Sequence, residues 1–443
     1  MAIRSLTLAL ALLATACSSG HSLSFGKPPT LDLAAEEYVR LTLSIGEHEP
    51  GYVDAYYGPT EWARYAKSTK RSIPELRAAV DALSKHLALI DRDSLPAMDA
   101  RRKDFLSAQL VAARTRLAMM AGEKFSFDEE AQGLFAIRPE LKPLSEYDPI
   151  LAQIETRVPG KGPLWQRIHE RVSRSEIPNG RLDGVIRASI AECRRRTVEH
   201  ISLPHEETFT LEFVSKQPWS GYNWYKGNAT SLIQINTDLP VTIGRAIDLG
   251  CHEGYPGHHV LNMLQEQRLY KERGWIEFTV YPLYSPQSLL AEGSANYGIE
   301  LAFPPEDRLT FEEKVLYPLA GLDSSSIAQD VELQRMRSKL ANARLTIAKE
   351  YLDGRITRSK AVELAQKYQL LSPERAEQSI DFTDKYRSYV VNYGLGLDLV
   401  RHFVASSGHS TGDRWSVMER ILSEPTLPSD LTSAPTDTAT SHD

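Results

Sequence analysis

The chain has 443 residues, of which 42% are hydrophobic and 25% are charged, proportions typical of a folded globular protein. Its formal net charge at pH 7 is −7, and no run rich in lysine or arginine offsets this acidic balance. A nucleic-acid-binding function is therefore not expected, because such proteins carry a basic surface for the phosphate backbone.

The first residues have the pattern of a bacterial export signal. Arg4 precedes the apolar run Leu6–Leu13, which is too short to span a bilayer, and small residues follow it up to Cys17. Those small residues resemble a bacterial lipobox, which implies cleavage of a signal peptide at residues 1–16 and lipid attachment to the thiol of Cys17. We therefore expect a periplasmic lipoprotein that contacts the membrane only through this N-terminal lipid. Secretion, or a soluble periplasmic form, is the alternative.

The next part of the chain predicts a tether and then a helical half. Residues 17–32 are rich in Ser, Gly and Pro, which predicts a tether. From Leu33 onward, apolar residues recur at three- and four-residue spacing, which predicts an N-terminal helical half over residues 33–206. The clearest helical runs are Leu33–Ile45, Ile73–Ile90, Ala97–Met120 and Leu182–Ile201.

A second half is predicted over residues 207–424, because the pattern changes near its start. Thr208–Val214 and Ser231–Asn236 alternate with period two, which predicts strands. Helical spacing then returns, most clearly over Phe311–Leu352 and Ser379–Val404. The chain is therefore predicted to be mainly α, with one small β-sheet.

The C-terminal residues 425–443 are rich in Ser, Thr, Pro and Asp and contain few apolar side chains. Such a composition buries too little apolar surface to offset the entropy lost on ordering, so this segment is predicted to be a disordered tail.

One eight-residue segment contains three of the chain's 12 histidines and a glutamate. Catalytic zinc sites use three protein ligands and leave one position open, and the HExxH pattern supplies two histidines from one helix, with the glutamate as general base. Here Glu253 follows His252, but Pro256 stands at the place of the second histidine. The next imidazoles belong to His258 and His259.

An unbroken helix would not bring two of these imidazoles to one ion. Over six residues it rises about 9 Å and turns about 600°, so His258 would leave the face of His252, and over seven residues it rises about 10.5 Å. Pro256 clashes with the carbonyl four residues earlier, and Gly257 lets the backbone bulge. We predict that these two residues loop out and return His258 to the ligand position, with His259 beside it, supporting a ligand or contacting substrate. His259 as the ligand is the alternative.

A third ligand is expected from a later helix. Glu292 lies in the small-residue segment Leu289–Tyr297. Small side chains there let its helix approach closely the helix that carries His252 and Glu253, which we call the metal helix. Asn296, one turn after Glu292, could steady a ligand. Glu300 is the alternative ligand, although a solvated helix charge is its expected role.

Cys193 and Cys251 remain once Cys17 is assigned to the lipid. An oxidising compartment permits a disulfide between them, and Cys251 beside His252 is conceivable as a thiol ligand. A small buried side chain is the expected role of Cys251, and whether the two cysteines pair is left open.

The segment HEGYPGHH, followed downstream by EGSANY, resembles a bacterial family of unassigned function whose hallmark is HExxPGHH and then EGxAxY. That family is similar in turn to the gluzincin metallopeptidases, including the thimet-oligopeptidase and Taq-carboxypeptidase groups. The resemblance covers roughly residues 200–405 and implies a large helical shell around a deep channel, with the small sheet next to the metal helix. It also implies that His252, His258 and Glu292 hold zinc and that Glu253 is the catalytic glutamate.

Together these residues predict an exported zinc hydrolase, most simply a metallopeptidase acting on peptides. Glu253 would take a proton from water activated by Zn²⁺. Tyr393, which with Gly394 matches the family's late Tyr-Gly pattern, is the candidate donor to the oxyanion. Arg344 and Arg387 are candidates for binding a substrate carboxylate. The alternatives are a zinc amidase or esterase with a non-peptide substrate, and a non-catalytic periplasmic metal-binding or scaffold protein.

Three further segments have expected positions near the site. The strand Ser231–Asn236 precedes the metal helix and is expected to offer an edge along which an extended peptide can lie. The aromatic segment Tyr222–Tyr225 is expected either to line the cleft or to pack. The polar-aromatic turn His48–Gly58 is expected to pack as a loop, with the channel as its alternative position.

Overall fold

The computed structural model describes residues 30–432. The predicted signal peptide, Cys17, almost all of the predicted tether and the end of the predicted tail lie outside this range. Within it, no helix combines the length and the apolar character needed to cross a bilayer.

Most of the described residues are helical, which confirms the predicted mainly α class. The helices are α1 (Leu31–Gly46), α2 (Thr60–Ser68), α3 (Ile73–Ala88), α4 (Ala97–Met120), α5 (Phe127–Phe135), α6 (Asp148–Arg157), α7 (Leu164–Val172), α8 (Leu182–Val198), α9 (Ile243–Leu249), α10 (His258–Leu264), α11 (Pro286–Ala302), α12 (Pro305–Phe311), α13 (Tyr317–Ala320), α14 (Ile327–Ser338), α15 (Ala343–Leu352), α16 (Arg358–Gln369), α17 (Pro373–Tyr386), α18 (Val391–Ser407), α19 (Thr411–Ser423) and α20 (Pro428–Thr432). Short 3-10 turns are Arg92–Ser94, Leu144–Tyr147, Ser173–Ser175, Asn179–Arg181, Ile276–Thr279 and Arg387–Val390, and π-helical turns are Gly250–Gly254, Gln265–Lys271 and Glu312–Leu316.

The four helical runs predicted in the N-terminal half are confirmed as α1, α3, α4 and α8. Side-chain caps fix where two of these helices begin. Ser72 accepts from the backbone N–H of Glu75, whose carboxylate accepts from the Ser72 N–H, so that two otherwise unpaired donors are satisfied. Thr30 caps α1, so the helix begins at Leu31 and the predicted tether ends earlier than residue 32.

The long helical runs predicted in the second half are interrupted. Phe311–Leu352 contains a π-helical turn followed by α13, α14 and α15, and Gly321 ends α13 with a φ of 70°. Ser379–Val404 is divided between α17 and α18. The prediction of disorder from residue 425 is wrong for residues 425–432, because Leu427 and Leu431 are buried against the core and α20 forms there.

Among the described residues, the strands are β1 (Val53–Tyr56), β2 (Thr208–Val214), β3 (Gly221–Gly227), β4 (Thr230–Asn236) and β5 (Val280–Pro282). They form a three-stranded sheet in the order β2-β4-β3 and a two-stranded sheet of β1 and β5. β4 is parallel to β2 and antiparallel to β3. The predicted strands β2 and β4 are confirmed, but β4 is the central strand, so its predicted role as an edge is wrong. The edge next to the metal helix is β3.

Residues from both predicted halves share one hydrophobic core, which includes Tyr38 and Leu106 from the first half and Leu289 and Val400 from the second. A smaller core joins α6 and α7 to the helices α14 to α17. The helices enclose a cavity of about 1710 Å³, which reaches the segment predicted to bind metal. The expected shell around a deep channel is therefore present.

Helices α11 and α18 pack against each other more extensively than other helix pairs, and glycines permit their close approach. A Cβ atom added to Gly293 would lie 2.4 Å from the carbonyl carbon of Gly396, so neither position has room for a side chain. This contact fixes Glu292, the neighbour of Gly293, against the helix that contributes Tyr393 to the cavity wall.

Candidate metal centre

The metal helix breaks between the two histidines, as the Pro-Gly pair predicts. α9 continues into the π-helical turn Gly250–Gly254, which carries His252 and Glu253, and α10 begins at His258. The intervening residues leave the helical path, with a cis peptide bond between Tyr255 and Pro256. His252 therefore lies in the last turn of one helical segment, which ends at Gly254, and His258 starts the next.

Gly257 allows the two segments to meet. Its backbone N–H donates to the carbonyl oxygen of Cys251 over 3.0 Å. A Cβ atom at this position would lie 1.8 Å from the carbonyl oxygen of His252, which is well inside contact distance. The break therefore requires glycine at its last residue.

The break brings the three predicted ligands together. The Nε2 atom of His252 lies 3.2 Å from Oε2 of Glu292, and that of His258 lies 3.8 Å from the same oxygen. One potential ligand atom from each residue lies within 4.8 Å of the others, and the group can hold a metal ion. The two imidazole rings are nearly perpendicular, with an interplanar angle of 87° and centroids 4.6 Å apart.

The donor set fits a zinc ion with catalytic ligation. Two histidines and a glutamate form one of the three-ligand sets that leave a fourth position free. Oε2 of Glu292 is buried beside the Nε2 atoms of His252 and His258 without a well-formed hydrogen bond to either, so a cation held between the three atoms would offset the cost of burying this carboxylate oxygen. Burial lowers the pKa of His258 to about 4, so its imidazole is neutral, as metal binding requires.

The other oxygen of Glu292 is held by a tyrosine. The hydroxyl of Tyr389 donates to Oε1 of Glu292 over 2.9 Å, and both side chains are buried. Asn296, which the sequence predicted to steady a ligand, lines the cavity but makes no hydrogen bond to Glu292. Glu300, the alternative ligand, pairs on the surface with Arg401 and is not part of the group.

His259 lies in a separate buried network. Its Nδ1 atom is 2.7 Å from Oγ of Ser231, and its Nε2 atom is 3.2 Å from Oε2 of Glu207. Glu207 also accepts from Tyr255 and Arg194. Burial alone would raise the pKa of Glu207, but the hydrogen bonds from these partners outweigh it and lower the pKa to about 2.

His259 was expected to support a ligand or contact the substrate, with a role as metal ligand as the alternative. Its position in this separate network fits none of these roles. Its side chain does not line the cavity, whereas that of His258 does. The physical reason is that successive residues at the start of a helix point about 100° apart. The network attaches the metal helix to β4 and to the chain before β2.

Glu253 lines the cavity beside the metal group, and only 5% of its surface is exposed. Burial raises its pKa to about 7, His252 opposes this shift, and Glu292 adds to it. The edge strand β3 approaches this side chain closely, since a Cβ atom at Gly221 would lie 2.7 Å from Oε1 of Glu253. The side-chain amide of Asn223 donates to the backbone oxygen of Glu253 over 2.7 Å.

The remaining predicted site residues have different positions. Tyr393 and Arg344 line the cavity, with the guanidinium carbon of Arg344 5.8 Å from the centre of the Tyr393 ring. Arg387 does not line it. Its Nε atom donates to Glu130 over 2.7 Å, and Glu130 also accepts from Ser388. Arg387 is thus used in an ion pair within the protein, and its predicted role in binding a substrate carboxylate does not fit this position.

Asp54 was not among the predicted site residues. Strand β1 places it on the cavity wall, where its carboxylate accepts from the hydroxyl of Tyr222. Burial raises the pKa of Asp54 to about 7, and the negative charges of Glu292 and Glu253 raise it further. Its signal in the sequence was an acidic residue among the aromatic residues of the turn His48–Gly58.

Cys193 and Cys251 form a disulfide, with their Cα atoms 5.4 Å apart. The bond joins α8 to the π-helical turn that carries His252. Cys251 is therefore not a metal ligand. Its side chain is buried, as expected, and the pairing that the sequence left open is a disulfide. Spacing along the chain gave no means to predict the pair.

No family model and no curated protein matches this chain. Among solved structures it is similar to "The crystal structure of the putative lipoprotein from Colwellia psychrerythraea", with 16% sequence identity and a TM-score of 0.46. The similarity covers 82% of this chain and 69% of that chain. A likeness of this degree identifies neither a shared family nor a shared function.

Proposed function

We propose that the protein is a zinc-dependent hydrolase that cleaves peptide bonds. The observation that supports this most is the meeting of His252, His258 and Glu292 beside Glu253 in one cavity. A purely structural zinc site has four protein ligands and is closed, whereas this group has three and faces open space. A zinc ion held there supplies Lewis acidity, which makes water nucleophilic near neutral pH and polarises a carbonyl group.

The protein's own residues would carry the proton transfers. The carboxylate of Glu253 accepts a proton from the attacking water and returns it to the leaving nitrogen. The hydroxyl of Tyr393 donates a hydrogen bond to the oxygen on which negative charge develops. This hydroxyl is available, because it makes no hydrogen bond to any residue in the described range 30–432. Tyr389 keeps Glu292 in its orientation.

The shape of the cavity favours an extended substrate. Its volume of about 1710 Å³ exceeds the roughly 300–1,000 Å³ of typical small-molecule pockets. The edge strand β3 borders it from Gly221 to Trp224, and an exposed strand edge can pair with the backbone of a peptide regardless of its side chains. The N-terminal signal and Cys17 lead us to propose further that this hydrolase acts outside the cytoplasm, as a lipoprotein.

The test begins with the metal content of the purified protein and a digest of a peptide library followed by mass spectrometry. We expect about one zinc per chain, cleavage that a chelator abolishes, and recovery when zinc is restored. Glu253→Gln should keep zinc and lose turnover. The matched control is Glu300→Gln on α11, which should keep both, because Glu300 pairs with Arg401 at the surface.

Two results would contradict the proposal. If Glu253→Gln loses zinc or retains turnover, the role given to Glu253 is wrong. If zinc binds but neither peptides nor other amides and esters are hydrolysed, the protein is a non-catalytic metal-binding protein. Hydrolysis confined to non-peptide amides or esters would contradict the substrate class and leave the zinc chemistry in place.

A further inference from the structure

Arg344 is a half-buried arginine of the cavity wall that lacks an acidic partner. Its Nε atom is buried without a hydrogen-bond partner, and it forms no ion pair with any residue from 30 to 432. Its guanidinium carbon instead lies 4.9 Å from the centre of the Phe382 ring and 5.8 Å from that of Tyr393. The two aromatic rings position the cation, but they provide no counter-charge.

Two other arginines of low exposure are paired, whereas Arg337, which lines the same cavity, resembles Arg344 in having a buried Nε atom without a hydrogen-bond partner. Arg102 donates to both carboxylate oxygens of Glu277, and Arg308 donates to Asp248 and Glu312. The pKa of each of these arginines is raised, although burial by itself lowers it. Burial lowers the pKa of Arg344, because no carboxylate compensates for its lost hydration. An unpaired buried charge is costly, which points to an anion from outside the chain.

The position of Arg344 places that anion close to the candidate metal centre. Arg344 and the metal-binding side chains line the same cavity, and Tyr393 contacts Arg344 directly. The Tyr393 ring lies 5.9 Å from the ring of Tyr389, whose hydroxyl donates to Glu292 over 2.9 Å. A group bound to Arg344 would therefore lie near the candidate metal centre, on the side of this tyrosine pair.

We propose that Arg344 binds a carboxylate of the substrate, so that the enzyme prefers peptides with a carboxylate just beyond the scissile bond. Arginine suits this role, since its planar guanidinium donates two parallel hydrogen bonds to one carboxylate. The carboxylate comes either from the C-terminus of the peptide or from an acidic side chain. The preference in hydrolysis rests on the proposed function, whereas the binding of a carboxylate by Arg344 does not.

The test uses three hexapeptides that share their first five residues. The first has a neutral last residue and a free C-terminus, the second has the same neutral residue and an amidated C-terminus, and the third has glutamate as its last residue and an amidated C-terminus. For the wild type, we expect kcat/KM for at least one carboxylate-bearing peptide to exceed that of the neutral amide on the order of 10- to 100-fold. Arg344→Met should abolish this preference by raising KM, and Arg344→Lys should restore part of it. A preference confined to the peptide with a free C-terminus shows that Arg344 binds the terminal carboxylate. A preference for the peptide that ends in glutamate shows that it binds an acidic side chain.

Two further measurements exclude a merely structural role. The control Arg355→Met removes an exposed arginine outside the cavity, whose partners are Glu350 and Asp353, and should keep the preference. Arg344→Met should unfold at the same or a higher temperature than the wild type, because it removes an unpaired buried charge. Loss of stability together with an unchanged ratio between the peptides would overturn the proposal.

Equilibrium binding of the same peptides to Glu253→Gln separates this inference from the proposed function. Tighter binding of a carboxylate-bearing peptide, lost in the double variant with Arg344→Met, supports the inference even if the wild type hydrolyses none of them. Equal binding of all three peptides, or a preference that survives Arg344→Met, overturns it even if hydrolysis is found.

Discussion

Alanine substitutions at two neighbouring histidines should separate metal binding from folding. His258→Ala removes one of the three ligands. Structural zinc sites, which have four ligands, contribute about 10–16 kcal/mol of apparent binding free energy, so one ligand corresponds to roughly 3 kcal/mol, or about 100-fold in Kd. We expect a loss of zinc affinity of at least this size and little change in the stability of the metal-free protein, because this side chain faces the cavity.

His259→Ala should have the opposite effect. It removes the contacts of His259 with Ser231 and Glu207, which have distances of 2.7 and 3.2 Å, and leaves a cavity where the imidazole was fully buried. Two lost hydrogen bonds at about 1 kcal/mol each, together with the cavity, give a destabilisation of about 3–4 kcal/mol. Zinc affinity of the folded protein should stay within a few-fold of the wild type, since all three ligands remain.

The assay has two parts. Competition with a metal-binding dye gives the zinc Kd of each variant, and urea unfolding in excess chelator gives the stability of each metal-free protein. The reasoning is refuted if His259→Ala loses zinc while its unfolding midpoint is unchanged, or if both variants lose zinc equally. A destabilised His258→Ala protein would show that this imidazole has a structural role that the geometry does not account for.

Three other predictions follow from the same region. Gly257→Ala should weaken zinc binding at least 100-fold in the dye competition, because its Cβ atom would displace the carbonyl of His252, which lies 1.8 Å away. Glu207→Gln should lower the free energy of unfolding by up to about 3 kcal/mol at neutral pH. The pKa of Glu207 in the folded protein, about 2, lies below the ordinary value of 4.5. The difference in unfolding free energy between the wild type and Glu207→Gln should therefore be fully present above about pH 5 and disappear as the pH falls towards 2. Urea unfolding across this pH range measures it. Replacing Cys193 and Cys251 by serine should cost about 4 kcal/mol in the same assay, since the bond closes a loop of 58 residues, and an unchanged midpoint would show that the bond does not form.

The regular helices could be predicted from the sequence because hydrophobic spacing and helix caps depend on residues close together in the chain. Helix α3 has apolar residues on one face and begins at a capping box, so the hydrophobic spacing and the cap predict the same helix. The meeting of His252 and His258 was predictable for a related reason. The helix geometry forbids an unbroken segment from His252 to His258, and Pro256 and Gly257 supply the break.

The rest depends on partners far away in the sequence. Strand β3 consists of aromatic and polar residues without a clear alternation, and it becomes a strand by pairing with β4. Strand β1 has only four residues and is defined by its pairing with β5, more than 220 positions later, which is also what brings Asp54 to the cavity. Arg387 and Arg344 look alike in the sequence, and only the position of Glu130 shows that one of them is already paired.

The interruption between His252 and His258 also affects how sites of this kind are recognised in other chains. In a continuous helix the spacing of two ligands is set by the helical repeat, so a search pattern with a fixed interval finds them. Here a short non-helical junction sets the interval, and residues can be inserted there while the imidazoles keep their positions around the ion. A pattern that demands three residues between the histidines would miss this chain. A different pattern would find it. That pattern looks for a helix that ends shortly after a glutamate, a junction whose last residue is glycine, and a second helix that begins with histidine.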